Sequence, residues 1–220
     1  MQSVLTAFFL PKSIYCLYIY IMKIKSIAET SYSGMYKVVE ENGTVFFIRK
    51  EYIFHFDFSL IEAGAEFNEA DSGEIIDAGF VSAVELKAVE YLGRSEQSRF
   101  GLTLKLLKKK YDKKYIETAL DYLENNDYLS DKRFARAWLH LRSLKHYEGR
   151  TRLLSELMSR GISKEISTFA LDEFFSEHDE MEICKRAYET FLKQGKEGEK
   201  LTSAMIRAGF SYKMIKLINQ

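Results

Sequence analysis

Lysine and arginine crowd two stretches of this 220-residue chain: Lys105, Lys108, Lys109, Lys110, Lys113 and Lys114, then Arg142, Lys145, Arg150, Arg152 and Arg160. Cations at this density bind phosphates through charge and counterion release, with little need for base contacts. The competing reading is a solvated helical face, since lysine-rich helices are common surface elements. No arrangement able to make or break bonds accompanies them. The chain has no GxxxxGK[ST] phosphate loop, no GxSxG nucleophile elbow and no HExxH metal motif. His55, His140, His146 and His178 are scattered. Glu177-His178-Asp179-Glu180 suits the acidic start of a helix better than a metal centre, because carboxylates there complement the helix dipole. Cys16 and Cys184 stand far apart without a CxxC, which suggests neither zinc nor a disulfide framework and fits a reducing cytoplasm. Cys184 and Trp138 fall on apolar helix faces and read as core. The expectation is a non-enzyme with no metal and no cofactor.

The cations must be positioned by helices, and those helices repeat. Arg160-Gly161-Ile162-Ser163 reads as a helix end, a tight joint and a new start: Gly161 suits a left-handed closing residue and Ser163 an N-cap. Ala208-Gly209-Phe210-Ser211 has the same chemistry, and Lys109-Lys110-Tyr111-Asp112 has it with lysine in place of glycine. Counted from Tyr111, Ile162 and Phe210, position −9 holds Leu102, Leu153 and Leu201. Position −5 holds Leu106, Leu157 and Met205, position −4 holds Leu107, Met158 and Ile206, and position +1 holds Asp112, Ser163 and Ser211. Caps matching at one offset are harder to obtain by accident than apolar matches. All three apolar positions are expected to point inward, as are Phe134, Ala137, Trp138 and Leu141 ahead of the second joint. Ser95 is expected to cap the helix before the first. The fold class is therefore mainly α: three tandem three-helix, helix-turn-helix-like repeats forming an elongated, curved body, over 81–127, 128–176 and 177–220.

A different pattern precedes them. Residues 22–80 form a small β-containing region in which Met35–Val39 meets Thr44–Ile48 across Glu41-Asn42-Gly43, the strongest short-range hairpin signal. A type I′ turn and a three-stranded sheet are expected. Glu51–Leu60 is strand or short helix, and Gly64 to Gly79 reads as a loose acidic connection. Residues 1–80 carry 6 basic against 11 acidic side chains, and 81–220 carry 26 against 21, so the repeats are the basic part. The apolar runs in residues 1–21 are each too short to span a bilayer, and they read as upstream translation or an apolar leader, with Met22-Lys-Ile-Lys as an ordinary start. No membrane association is expected.

The run Tyr128-Leu129-Ser130-Asp131-Lys132-Arg133-Phe134-Ala135, followed by Gly149, Leu153, Glu156-Leu157 and Arg160-Gly161-Ile162, resembles the signature of the RecX regulatory proteins, bacterial modulators of the RecA recombinase. Ala88-Tyr-Leu, Arg94 to Arg99 and Leu106 to Tyr111 resemble that family's first repeat, although Lys110 stands where a glycine is usual. The resemblance implies a cytoplasmic, monomeric regulator of recombination, DNA repair and the SOS response. It would bind RecA and its filament on single-stranded DNA, and inhibit filament growth, ATP hydrolysis and strand exchange. Arg94, Arg99, Arg133 and Arg136 then join the two clusters as candidate contacts with nucleic acid or recombinase. Tyr111, Asp112, Gly161, Ile162, Ser163, Gly209, Phe210 and Ser211 are structural joints. A helix-turn-helix transcription factor and a protein-interaction scaffold are the other readings of the same pattern.

Overall fold

The computed structural model describes residues 21–218, so Cys16 and all but the last residue of the 1–21 segment lie outside the described residues. The described chain is mainly helical, with a small antiparallel sheet ahead of the helices. It divides into two compact units: residues up to Ala88 together with Lys110–Tyr122, and Val89–Lys109 together with the residues from Leu123 onward.

In the first unit, β1 (Met22–Glu29), β2 (Met35–Glu40), β3 (Val45–Arg49) and β4 (Glu66–Phe67) pair antiparallel in the order β3-β2-β1-β4, one strand more than expected. Met22 and Ile24 are buried between exposed Lys23 and Lys25, the alternation of a sheet with one covered face. The hairpin is present with a different turn. Gly43 has φ 90, but Asn42 is not left-handed; its Oδ1 instead accepts from Thr44 N–H at 2.8 Å. An Asx turn relieved by one glycine thus replaces the type I′ pair. The aromatic stretch that follows resolves into two single 3₁₀ turns, Lys50–Tyr52 and Phe58–Leu60.

The acidic segment expected to be a loose connection is instead the first half of α1 (Glu69–Leu92). Asn68 Oδ1 accepts from Asp71 N–H at 3.0 Å and starts the helix, and Ile75, Ala78 and Val81 are buried beyond it. Gly79 serves packing rather than flexibility, since a Cβ there would lie 3.2 Å from the Phe46 ring. Burial has overridden the propensity of these glycines. Under the sheet, Arg49 reaches Glu85 of α1 through Nε at 2.7 Å and Nη2 at 2.5 Å, while Tyr52 Oη donates to Glu85 at 2.9 Å. Both charged residues are buried, and the Arg49 guanidinium lies 4.5 Å from the centre of the Tyr122 ring. Burial, with Glu85 beside it, pushes the Tyr52 hydroxyl far above its ordinary range.

The remaining helices are α2 (Arg99–Lys108), α3 (Lys113–Asn125), α4 (Asp131–Ser143), α5 (Arg150–Ser159), α6 (Lys164–Glu177), α7 (Glu180–Lys193), α8 (Gly198–Arg207) and α9 (Tyr212–Ile218). Ser98, not Ser95, caps α2, accepting from Gly101 N–H at 3.0 Å. The second unit contains two hydrophobic clusters, with Ile183 packed against both. Ala135, Leu139, Leu153, Leu157, Ile162, Ala170, Leu171 and Phe174 fill one; Cys184, Ala187, Leu201, Met205, Phe210 and Ile215 fill the other. On α4 the fully buried residues are Ala135 and Leu139, with Phe134 and Trp138 packed beside them and Leu141 65% exposed, so the buried face is turned one residue from the expected one.

Positions −9 and −5 are buried in α2, α5 and α8 alike. Position −4 is not: Leu107, Met158 and Ile206 are 39%, 47% and 52% exposed. Successive residues on a helix are rotated by about 100°, so when −9 and −5 share the inward row, −4 turns away from it.

The joints are left-handed, with φ 69 at Lys110, 82 at Gly161 and 96 at Gly209. Ser163 Oγ accepts from Ile166 N–H, Asp112 Oδ1 from Lys114 N–H and Ser211 Oγ from Met214 N–H, each capping the helix that follows. Two joints also meet the start of an earlier helix. Ser98 Oγ donates to Arg160 O at 2.9 Å, and Gly149 N–H donates to Ala208 O at 2.8 Å. Ser98 and Gly149 are the N-caps of α2 and α5, and Arg160 and Ala208 each precede a joint glycine, so equivalent positions meet twice, once through a side-chain hydroxyl and once through a backbone N–H. A Cβ on Gly161 would stand 2.2 Å from Phe100 Cβ, and one on Gly209 would stand 2.5 Å from Arg152 Cβ. Lys110 takes the same left-handed backbone with an exposed side chain.

Candidate nucleic-acid interface

The candidate cations differ sharply in whether a carboxylate already holds them. In the second unit Arg94 pairs with Glu90 at 2.5 Å and Arg99 with Glu124 at 2.5 Å, the latter also donating its backbone N–H to Asp131. Arg133 bonds Glu96 at 2.9 Å, Asp127 at 2.6 Å and Tyr128 O at 3.0 Å, which ties α4 to the turns around it. The bond it donates to Glu96 is the main reason its guanidinium is held above the ordinary arginine value. Arg136 grips Glu173 of α6 through Nε at 2.7 Å, and Arg150 pairs with Asp172 while lying 4.9 Å from the Phe175 ring centre. Arg136 correspondingly holds the Glu173 carboxyl below its usual range.

Around α5 a carboxylate ladder forms. Arg142 binds Glu148 through two nitrogens at 2.7 and 2.9 Å; Arg152 binds Glu156 at 2.6 Å; Arg160 binds the same Glu156 at 2.6 Å and covers the Trp138 ring at 4.6 Å. The Arg160 bond, followed by the neighbouring arginine charges, keeps Glu156 below the usual carboxylate range. These arginines spend their hydrogen-bonding capacity on the protein itself.

Lysines divide differently. Lys105 donates to Gln97 Oε1 at 2.5 Å and lies 5.4 Å from the Tyr91 ring centre. Lys108 and Lys109, at the end of α2, are exposed and form no ion pair among the described residues; Lys145, after α4, is the same. In the first unit Lys110 is likewise exposed and unpaired among the described residues. Lys113 has only a 3.4 Å pair with Glu117, and Lys114 bonds Asp77 at 3.0 Å beside the Tyr115 ring. Tyr115 and Asp77 together raise the Lys114 ammonium above its ordinary value. Of the candidate set, the structure therefore leaves Lys108, Lys109, Lys110 and Lys145 without an ion pair among the described residues. Sequence reasoning passed over Lys196, whose neighbouring Lys193 and Lys200 alternate with Glu197 and Glu199, and Arg207, which has no basic neighbour within five residues.

Other features settle as ordinary structure. Asp179 caps α7, accepting from Met181 N–H at 2.8 Å, and His178 stacks on Phe174 with ring centres 4.3 Å apart. Burial pushes the Cys184 thiol up to about 11. Among the described residues no cluster of three or more metal-ligating side chains occurs, and no helix is long and apolar enough to cross a membrane.

Residues 130–171 match the family described as RecX, second three-helix domain. The chain is 38% identical over 132 residues to the regulatory protein RecX of Treponema pallidum, covering 60% of this chain and 80% of that one. To the RecX of Chlorobium limicola it is 31% identical over 135 residues, covering 59% and 82%. A crystal structure of a regulatory protein RecX superposes with a TM-score of 0.70 over 90% of this chain and 98% of the other at 18% identity, a likeness of fold.

Proposed function

The chain belongs to the RecX family of regulatory proteins, and from that premise we propose that it binds RecA and the RecA filament on single-stranded DNA, restraining filament growth, ATP hydrolysis and strand exchange. The observation that carries this reading is that Lys108, Lys109 and Lys110, consecutive in the sequence, each lack an intramolecular carboxylate among the described residues while the surrounding arginines have one. An unpaired cation releases its counterion to phosphate without first breaking an internal bond, so its full charge is available to a phosphodiester backbone. Several weak contacts made by one folded body add through effective concentration, which lets a small protein act on a large assembly. The role is regulatory rather than catalytic, carried out as a monomer in the cytoplasm.

The test is recombinase ATP hydrolysis and filament length on single-stranded DNA with and without the protein. A fall in both at stoichiometric amounts is expected. No change in either would sink the proposal, and selective binding to one duplex sequence would support a helix-turn-helix transcription factor instead.

A further inference from the structure

The second unit holds a groove of about 520 Å³ whose walls come from the α4–α5 connection, α5, α7, the α7–α8 connection and α8. Four cations line it: Lys145, Arg152, Lys196 and Arg207. The one carboxylate in the lining, Glu148, is bound by Arg142 through two nitrogens at 2.7 and 2.9 Å, so its charge is offset from behind. Two aromatic rings also line it, Tyr147 from the α4–α5 connection and Phe191 from α7. Tyr147 is 41% exposed, and Phe191 carries the Lys196 ammonium 4.1 Å from its ring centre. Lys145 and Arg207 form no ion pair among the described residues.

We propose that this groove is a seat for a short stretch of single-stranded nucleic acid, its phosphates on Lys145, Lys196 and Arg207 and one base stacked on Tyr147. The chemistry follows from the lining. A surface that sets cations around an exposed aromatic ring, Tyr147, matches a strand with unpaired bases, because every base has a π-face and every linkage a negative charge. A duplex hides its base faces and offers only the charge. An acidic peptide would use the cations and leave the tyrosine idle. The volume lies in the range of pockets that enclose a small ligand, roughly 300–1,000 Å³, so it takes a short stretch and not a long track. The proposal rests on the reading that this chain contacts single-stranded DNA, and it places part of that contact away from Lys108-Lys109-Lys110.

The experiment is anisotropy of a labelled oligothymidylate of about 16 nucleotides, titrated with the full chain across a salt series. Replacing Lys196 and Arg207 by glutamine should lower the slope of log affinity against log salt by about 1.4, or 0.7 for each phosphate no longer neutralised on a single strand. Tyr147→Ala should weaken binding about 5- to 150-fold with the slope unchanged, as for loss of one stacked base. The double glutamine variant alters one exposed side chain, Arg207, and one part-exposed side chain, Lys196, neither of them in a hydrophobic core, and keeps the test valid if the tyrosine variant fails to fold. Unchanged affinity and slope in the glutamine variant, while the parent binds, overturn the groove and leave the general reading standing. A parent that does not bind the strand overturns both. Glutamine variants that lose recombinase binding but keep the oligonucleotide make the groove a protein contact, which also overturns the proposal.

Discussion

Gly161→Ala separates two costs that a joint glycine avoids. The first is conformational: an L-residue held at φ 82 is in the left-handed region, which costs roughly 1–2 kcal/mol. The second is steric. The new Cβ would stand 2.2 Å from Phe100 Cβ, 2.6 Å from its Cγ and 3.0 Å from its Cδ1, so the start of α2 must move or the joint must open. Forcing an extra methyl into a packed site costs about 1–3 kcal/mol, so the total expected loss is about 2–5 kcal/mol. Gly195→Ala provides the control, because Gly195 has φ 74 and nothing within 4 Å of a Cβ. It should lose only the first component. Adding Phe100→Ala to Gly161→Ala should recover little, since the nearest clashing atom is a Cβ that alanine keeps. Urea unfolding followed by circular dichroism at a common m-value gives the comparison. Equal losses for Gly161→Ala and Gly195→Ala would refute the claim that an earlier helix presses on the joint.

Removing one partner of the buried Arg49–Glu85 pair, as Arg49→Met or Glu85→Leu, should cost about 3–5 kcal/mol, whereas the two substitutions together should cost less than the sum of the two; additive losses in that double-mutant cycle would contradict the pairing. Leu106→Ala, Leu157→Ala and Met205→Ala should each lose about 2–5 kcal/mol, while Leu107→Ser, Met158→Ser and Ile206→Ser one residue later should stay within about 0.5 kcal/mol of the parent in denaturant unfolding. Cys184 should resist iodoacetamide at pH 8, because its buried thiol ionises only near pH 11; in a Cys16→Ser background its labelling should track unfolding, and rapid labelling of the folded chain would contradict the burial. Replacing Lys108, Lys109 and Lys110 together by glutamine should flatten the salt dependence of single-strand binding by about 0.7 for each phosphate they neutralise, against no change if these lysines are only solvated.

The local signals of this chain were legible because each depends on neighbours a few residues away. Asn42-Gly43 announces a hairpin, Ser130, Ser163 and Asp179 announce helix starts, and the spacing of leucines announces the inward rows of α2, α5 and α8. The repeat and the family resemblance follow from the same short-range marks. Errors arose where side-chain bonding or a distant group decides. Asn42 bonds its own turn and Gly79 admits Phe46, so neither glycine-bearing segment behaves as its residues alone suggest. Periodicity located a helix at Leu107, Met158 and Ile206 but could not fix its rotation, which depends on what the helix packs against. The candidate site shows the limit most clearly. Arg136 and Arg150 read as free cations, yet Glu173 lies 37 residues from the first and Asp172 lies 22 from the second. Composition and spacing decide how much positive charge a surface carries. Only the tertiary structure decides which of it is already neutralised, because an ion pair depends on a separation of a few ångströms that sequence distance does not record.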